Sequence, residues 1–82
     1  MTDTLSVELV LATAEKQVLM AVIVDEGASV ADVIAASGIR SRFPLLEIAT
    51  MPAGIWGRPV PKDSIVRDGD RVELYRPLEI DP

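Results

Sequence analysis

Ser29-Val30-Ala31-Asp32-Val33-Ile34-Ala35-Ala36-Ser37-Gly38 reads as a helix with both ends marked. Ser29 is placed to accept an N–H of the first turn. Asp32, three residues on, reaches back to the cap or favours the positive end of the helix dipole. Val30, Val33, Ile34 and Ser37 fall at helical spacing, with small Ala35 and Ala36 between them. Gly38 closes the helix where a positive φ is cheap only for glycine, and Ile39 can supply the accompanying hydrophobic contact. The predicted helix covers about Ser29 to Ser37, roughly two to three turns. That is too short to hold in water alone, so it must pack on something else.

The residues before it supply the surface. Leu5, Val7, Leu9 and Leu11 alternate with Ser6 and Glu8, the period of a half-buried strand. Thr13-Ala14-Glu15-Lys16 is a polar break, and Val18 to Val24 is a second aliphatic run that stops at Asp25-Glu26-Gly27. Two such runs across so short a break predict an antiparallel hairpin. Taken in register with the cap, Val18, Met20, Val22 and Val24 turn toward the helix, with Val22 and Val24 buried against Val33 and Ile34. Leu19, Ala21 and Ile23 then turn away from it.

After the helix the pattern is less regular. Pro44 holds Phe43 extended, and Leu45, Leu46 and Ile48 are core candidates. Gly54-Ile55-Trp56 is predicted as a short strand, with Gly57-Arg58 turning before Pro59-Val60. Ile65 and Val66 are available to plug the core. Arg67-Asp68-Gly69-Asp70 is a tight turn. Arg71 to Arg76 is the last strand, with Val72 and Leu74 on one face and Arg71, Glu73 and Tyr75 on the other. The order β-β-α-β-β predicts an α+β domain, a mixed sheet with one helix packed across one face.

Composition agrees with a single small domain over residues 1–82, its ordered core about 5–78. The 82 residues are 49% hydrophobic and 26% charged, with a formal net charge of −5. Cys and His are both 0, which removes disulfides, thiol nucleophiles, zinc fingers and imidazole bases. No segment approaches the roughly 20 apolar residues of a membrane helix, so no membrane insertion is expected. The polar N-terminus Met1-Thr2-Asp3-Thr4 lacks the pattern of a secretory signal, and a cytoplasmic location is expected. The acidic balance disfavours nucleic acid as a partner, although all six arginines lie after residue 39.

Two stretches carry a family resemblance. Gly54-Ile55-Trp56-Gly57-Arg58-Pro59-Val60 is close to a Gly-Ile-Phe-Gly-Arg-Pro-Val motif, and Arg67-Asp68-Gly69-Asp70-Arg71-Val72-Glu73-Leu74-Tyr75-Arg76-Pro77-Leu78 follows at the matching spacing. Together with Val24-Asp25-Glu26-Gly27-Ala28-Ser29-Val30, they resemble the RnfH family of small bacterial ubiquitin-related proteins from Val7 onward. The resemblance implies the β-grasp, or ubiquitin-like, fold. It implies no catalytic residues and no cofactor. One branch of the family, RatB, is described as the antitoxin-like partner of RatA, and the family takes its name from the Rnf electron-transport genes. A RatA-like protein or an Rnf-associated component is therefore the partner that the resemblance implies. Family members commonly continue past Asp-Pro into a Lys/Arg-rich tail, whereas this sequence stops at Asp81-Pro82.

Three functions can be weighed. A sulfur carrier of the ThiS or MoaD kind needs a flexible C-terminal Gly-Gly, and Pro77 to Pro82 does not provide one. An enzyme would have to rely on carboxylates such as Asp68 and Asp70, which bracket a turn glycine where solvated acids are usual. Any metal there would be a weak carbonyl-and-water magnesium or calcium site. A non-catalytic protein-interaction module is the reading that remains. It would dock its partner on the sheet face that the helix leaves open, through Val10, Leu19, Ile23 and Tyr75, with Arg58 and Arg76 at the margin as carboxylate contacts. A weak homodimer is also compatible with this reading. Trp56 reads either as core, beside the helix and Leu45, or as a contact stacked at the edge with Arg58 and Arg76 nearby, and its apolar volume favours the core.

Overall fold

The computed structural model describes residues 3–12 and 17–75. Strand β1 (Thr4–Ala12) and strand β2 (Gln17–Asp25) form the antiparallel hairpin, paired without a bulge from Thr4 opposite Asp25 to Ala12 opposite Gln17. The predicted turn at residues 13–16 lies outside the described residues. Helix α1 (Val30–Ser37) follows, then a single turn α2 (Ile39–Arg42) and a 3-10 turn (Ile48–Thr50). Strands β3 (Ala53–Ile55) and β4 (Arg58–Val60) form a second hairpin, and β5 (Arg71–Leu74) completes the sheet. The sheet order is β2-β1-β5-β3-β4, with β1 and β5 parallel and every other pair antiparallel.

α1 starts and stops where its chemistry demands. The Oγ of Ser29 accepts the N–H of Asp32 at 3.2 Å, and the Asp32 carboxylate accepts the N–H of Ser29 at 2.9 Å, a reciprocal capping box. Two further N–H groups of the first turn donate to a passing segment. Val30 donates to the carbonyl of Ser64 and Ala31 to that of Lys62, each at 2.9 Å. Gly38 ends the helix at φ 72°, and Ile39 behind it is fully buried.

Val33 and Ile34 press on Val22 and Val24 of β2 and on Val7, Leu9 and Leu11 of β1. Val72 and Leu74 of β5 and Ile39, Ile48, Met51 and Val66 complete one continuous core. The expected register is the one observed: Val22 and Val24 are buried, while Leu19 and Ile23 stand outside. A slip by one residue would have exchanged the two sets.

Three expectations for the second half need correction. Arg58 is the first residue of β4 and does not belong to the turn, which is Trp56-Gly57, so the sheet has one strand more than the predicted order. Leu45 is 96% exposed and outside the core, because Pro44 and the turn after α2 carry it into solvent. Ile65 is also exposed. Its backbone bridges to Ser29, which leaves Val66 alone as the plug.

Candidate functional site

α1 covers one face of the sheet, and the other face carries the predicted contact residues. Its side chains fall into cross-strand rows. Ile23 lies opposite Ser6. Ala21 lies opposite Glu8, which lies opposite Arg71. Leu19 lies opposite Val10, which lies opposite Glu73, which lies opposite Gly54. Leu19 and Ile23 expose 55% and 62% of their surface, so β2 presents a column of Leu19, Ala21 and Ile23 to solvent. Val10 lies on this face but is only 5% exposed. It is the floor of the patch and offers a partner little surface of its own.

A polar block adjoins the apolar column. The Arg71 guanidinium bonds the Glu8 carboxylate at 3.0 Å and lies 5.1 Å from the centre of the Trp56 ring. This stacked cation is partly exposed, so the pair contributes about 1 kcal/mol or less. One row along, Glu73 Oε1 accepts from the Tyr75 hydroxyl at 2.6 Å and from the Gly57 N–H at 2.8 Å. That hydrogen bond, then burial, then the carboxylate's charge raise the Tyr75 phenol from 10.0 to about 12. Tyr75 is thus a half-buried strut, with its hydroxyl tied to Glu73 and its ring lying against Gly54.

Of the residues expected at this face, Val10, Leu19, Ile23 and Tyr75 share it. Arg58 does not, because it pairs with Ile55, which pairs in turn with core Val72. That parity turns Arg58 toward the helix side, on the exposed edge strand. Arg76 lies outside the described residues.

Of the two readings of Trp56, the structure excludes the core one. The residue is 59% exposed, and it occupies a two-residue turn with Gly57 in which both residues have positive φ, 51° and 78°. Such a hairpin turn favours Asn-Gly, and a bulky residue there is strained. The turn sends the indole out beside Arg71, away from the core. The signal for this was available in the spacing of Ile55 and Arg58, with two residues between them and the second a glycine.

The acids at Asp68 and Asp70 are spent on the turn. Asp68 accepts the Ser6 N–H at 2.8 Å, and Asp70 accepts the Arg67 N–H at 2.9 Å. Among the described residues, no three acidic side chains come together as metal ligands, and no helix is long and apolar enough to cross a membrane.

A model of the RnfH family ubiquitin matches residues 5–82. The protein RnfH of Burkholderia mallei (strain NCTC 10229) is 48% identical over 82 residues, all of this chain and 74% of the relative. That of Paraburkholderia xenovorans (strain LB400) is 44% identical over the same spans. That of Salmonella newport (strain SL254) is 46% identical, with 85% of its length covered. With the capped helix, the mixed five-stranded sheet and the Trp56-Gly57-Arg58-Pro59 hairpin all in place, the chain belongs to the RnfH family of ubiquitin-like proteins.

Proposed function

We propose that this chain is a non-catalytic interaction module that docks a protein partner on the open face of its sheet. The observation that carries the reading is the exposed column Leu19, Ala21 and Ile23, on a face that no helix among the described residues covers. Contiguous exposed aliphatics on a small domain mark interfaces. Asp3, Asp25 and Glu26 cluster at the end of the β1–β2 hairpin, where Glu26 donates its N–H to the Asp3 carbonyl, and the chain carries a net charge of −5. The partner this surface suits is a folded protein with an apolar ridge and a cationic fringe, met inside the cell. A RatA-like protein or an Rnf-associated component is the class that family membership suggests. The absence of Cys and His, and the engagement of Asp68 and Asp70 in the turn, support a role without chemistry.

Within the interface, Leu19 and Ile23 supply most of the affinity, and Trp56 with Arg71 forms a second contact beside them. The test is titration of a purified RatA-like protein, or an Rnf-associated component, with wild type, Ile23→Lys and Arg58→Glu. Ile23→Lys should weaken binding by at least about tenfold. Arg58→Glu, on the other side of the sheet, should leave it within about twofold. Equal affinity for wild type and Ile23→Lys would place the interface elsewhere.

A further inference from the structure

The two edges of this sheet are built differently. β4, at one edge, has only the residues Arg58, Pro59 and Val60. A short strand bearing a charge and a proline is protected against further pairing. β2, at the other edge, runs for 9 residues, Gln-Val-Leu-Met-Ala-Val-Ile-Val-Asp, in unbroken register with β1. It contains no proline, glycine, lysine or bulge, and Asp25 at its end is its only charge. Among the described residues no strand pairs with its outer side. Long, flat, apolar edges of this kind serve as templates for another strand.

We propose that the occupant of this edge is a second copy of the chain, paired β2 to β2 in antiparallel fashion about a two-fold axis at Ala21. The strand is its own complement in that register. Ala21 faces Ala21 of the other copy, Met20 faces Val22, Leu19 faces Ile23, Val18 faces Val24 and Gln17 faces Asp25. Every pair but the last is apolar on apolar, and the last sets an amide against the carboxylate, so no like charges oppose. The alternation of faces is preserved. Leu19 and Ile23 meet on the open side, while Val18, Met20, Val22 and Val24 meet on the helix side, where Val22 and Val24 are already buried.

The groove beside the edge offers room. It is lined by Ile23 to Ala28 together with Asp32 and Ala36 of α1, and no bulky helix side chain is among them. The pairing extends the sheet across the axis and joins two Leu19–Ala21–Ile23 columns into one apolar surface. A foreign strand would satisfy the same backbone groups. The match of β2 with itself, residue by residue, favours the second copy. The inference concerns the strand edge and does not depend on the partner proposed for the open face.

The chain has no cysteine, so single cysteines can report the axis. In an antiparallel pair, directly opposed Cα atoms lie about 4.5–5.5 Å apart, within disulfide range. Ala21→Cys, exposed on the open face, should oxidise to a dimer of twice 8.8 kDa faster than Leu45→Cys, which is exposed on the loop after α2. Leu19→Cys and Ile23→Cys should cross-link readily when mixed and poorly when separate.

Sedimentation of the uncross-linked chain, in enough salt to screen its charge, should show a reversible dimer. Ala21→Lys should weaken it by about tenfold or more by opposing like charges, and mixing that variant with Ala21→Glu should restore it. Circular dichroism would confirm that each variant is folded. A wild type that stays monomeric to about 1 mM, or cross-linking at Ala21→Cys no faster than at Leu45→Cys, would overturn the proposal. A dimer indifferent to Ala21→Lys would overturn it as well, because it would lie on another surface or involve another strand.

Discussion

Gly54 is the position where a single added carbon should cost most for its size. It sits in the middle of β3, paired with Glu73 on one side and Pro59 on the other, beneath the Tyr75 ring. An added Cβ would collide with the Tyr75 hydroxyl and lie 2.8 Å from Tyr75 Cε2 and 2.9 Å from the Arg58 carbonyl oxygen, whereas ordinary contact begins near 3.4 Å. Relief therefore needs about half an ångström from the Arg58 backbone and more than that from Tyr75, whose hydroxyl is the nearest atom, at the same time. The Arg58 carbonyl belongs to the backbone of a tight hairpin and has little room to yield. The ring can swing away only by giving up the 2.6 Å bond to Glu73, the acid that also holds the Gly57 N–H. A hydrogen bond to a charged group is worth about 1.5–3 kcal/mol, and overpacking of this kind costs about 1–3 kcal/mol. Because the ring can escape one cost by accepting the other, Gly54→Ala should destabilise by about 2–3 kcal/mol. For a domain of this size that lowers Tm by roughly 10–20 °C. Scanning calorimetry or thermal circular dichroism reads it directly. In a Tyr75→Ala background only the Arg58 carbonyl remains in the way, and the same substitution should cost about 1 kcal/mol less. A Tm within about 3 °C of wild type, or an equal cost in both backgrounds, would refute the argument.

Ser29→Ala removes one half of the capping box and should lower stability by about 1 kcal/mol in urea denaturation at unchanged m-value. The Tyr75 phenol should ionise near pH 12 in an ultraviolet titration, above its ordinary 10.0, and Glu73→Gln should bring it back down. Because its folded pKa is raised, that contribution to stability is complete below pH 10 and disappears as pH rises toward about 12. Unfolding measured across that window should show the loss, and Tyr75→Phe should not. Trp56→Asn suits the positive φ of its turn and should stabilise the fold by about 1 kcal/mol. A lower midpoint for that variant would mean that the stack on Arg71 outweighs the backbone strain.

The half of the fold before Gly38 was legible because independent signals agreed there. Period-two alternation in β1 and β2, a Ser–Asp box three residues apart and a terminal glycine each specify a local geometry, and together they fix which side of β2 meets α1. The stretch from Phe43 to Val60 offered less. There hydrophobicity alone suggested that Leu45 and Trp56 were core, but a proline-bounded loop and a turn of positive φ carried both outward. Parity placed Val10 on the open face correctly but carried no information on depth, which depends on the neighbours across β2 and β5. It also could not show that Tyr75, one residue past the end of β5, would be held down by Glu73 on the same face. Arg58 was misplaced for a related reason: read as part of the turn it had no assigned side, and as the first residue of β4 it takes the side of Ile55 opposite it.

The parallel pairing of β1 with β5 has a consequence for how the chain is made. Glu8 is joined to Arg71 and Leu11 to Leu74, so the centre of the sheet is closed by the first and the last of the described strands. Until residue 74 has emerged, the β1–β2 hairpin has one flank with no partner, and Leu9 and Leu11 have no Val72 or Leu74 to pack against. α1 can settle on the hairpin early, but the sheet cannot be completed from the N-terminus forward. Closure of the sheet in the cell therefore waits for β5 to be synthesised, and the nascent chain must be kept from pairing that open flank with other chains meanwhile.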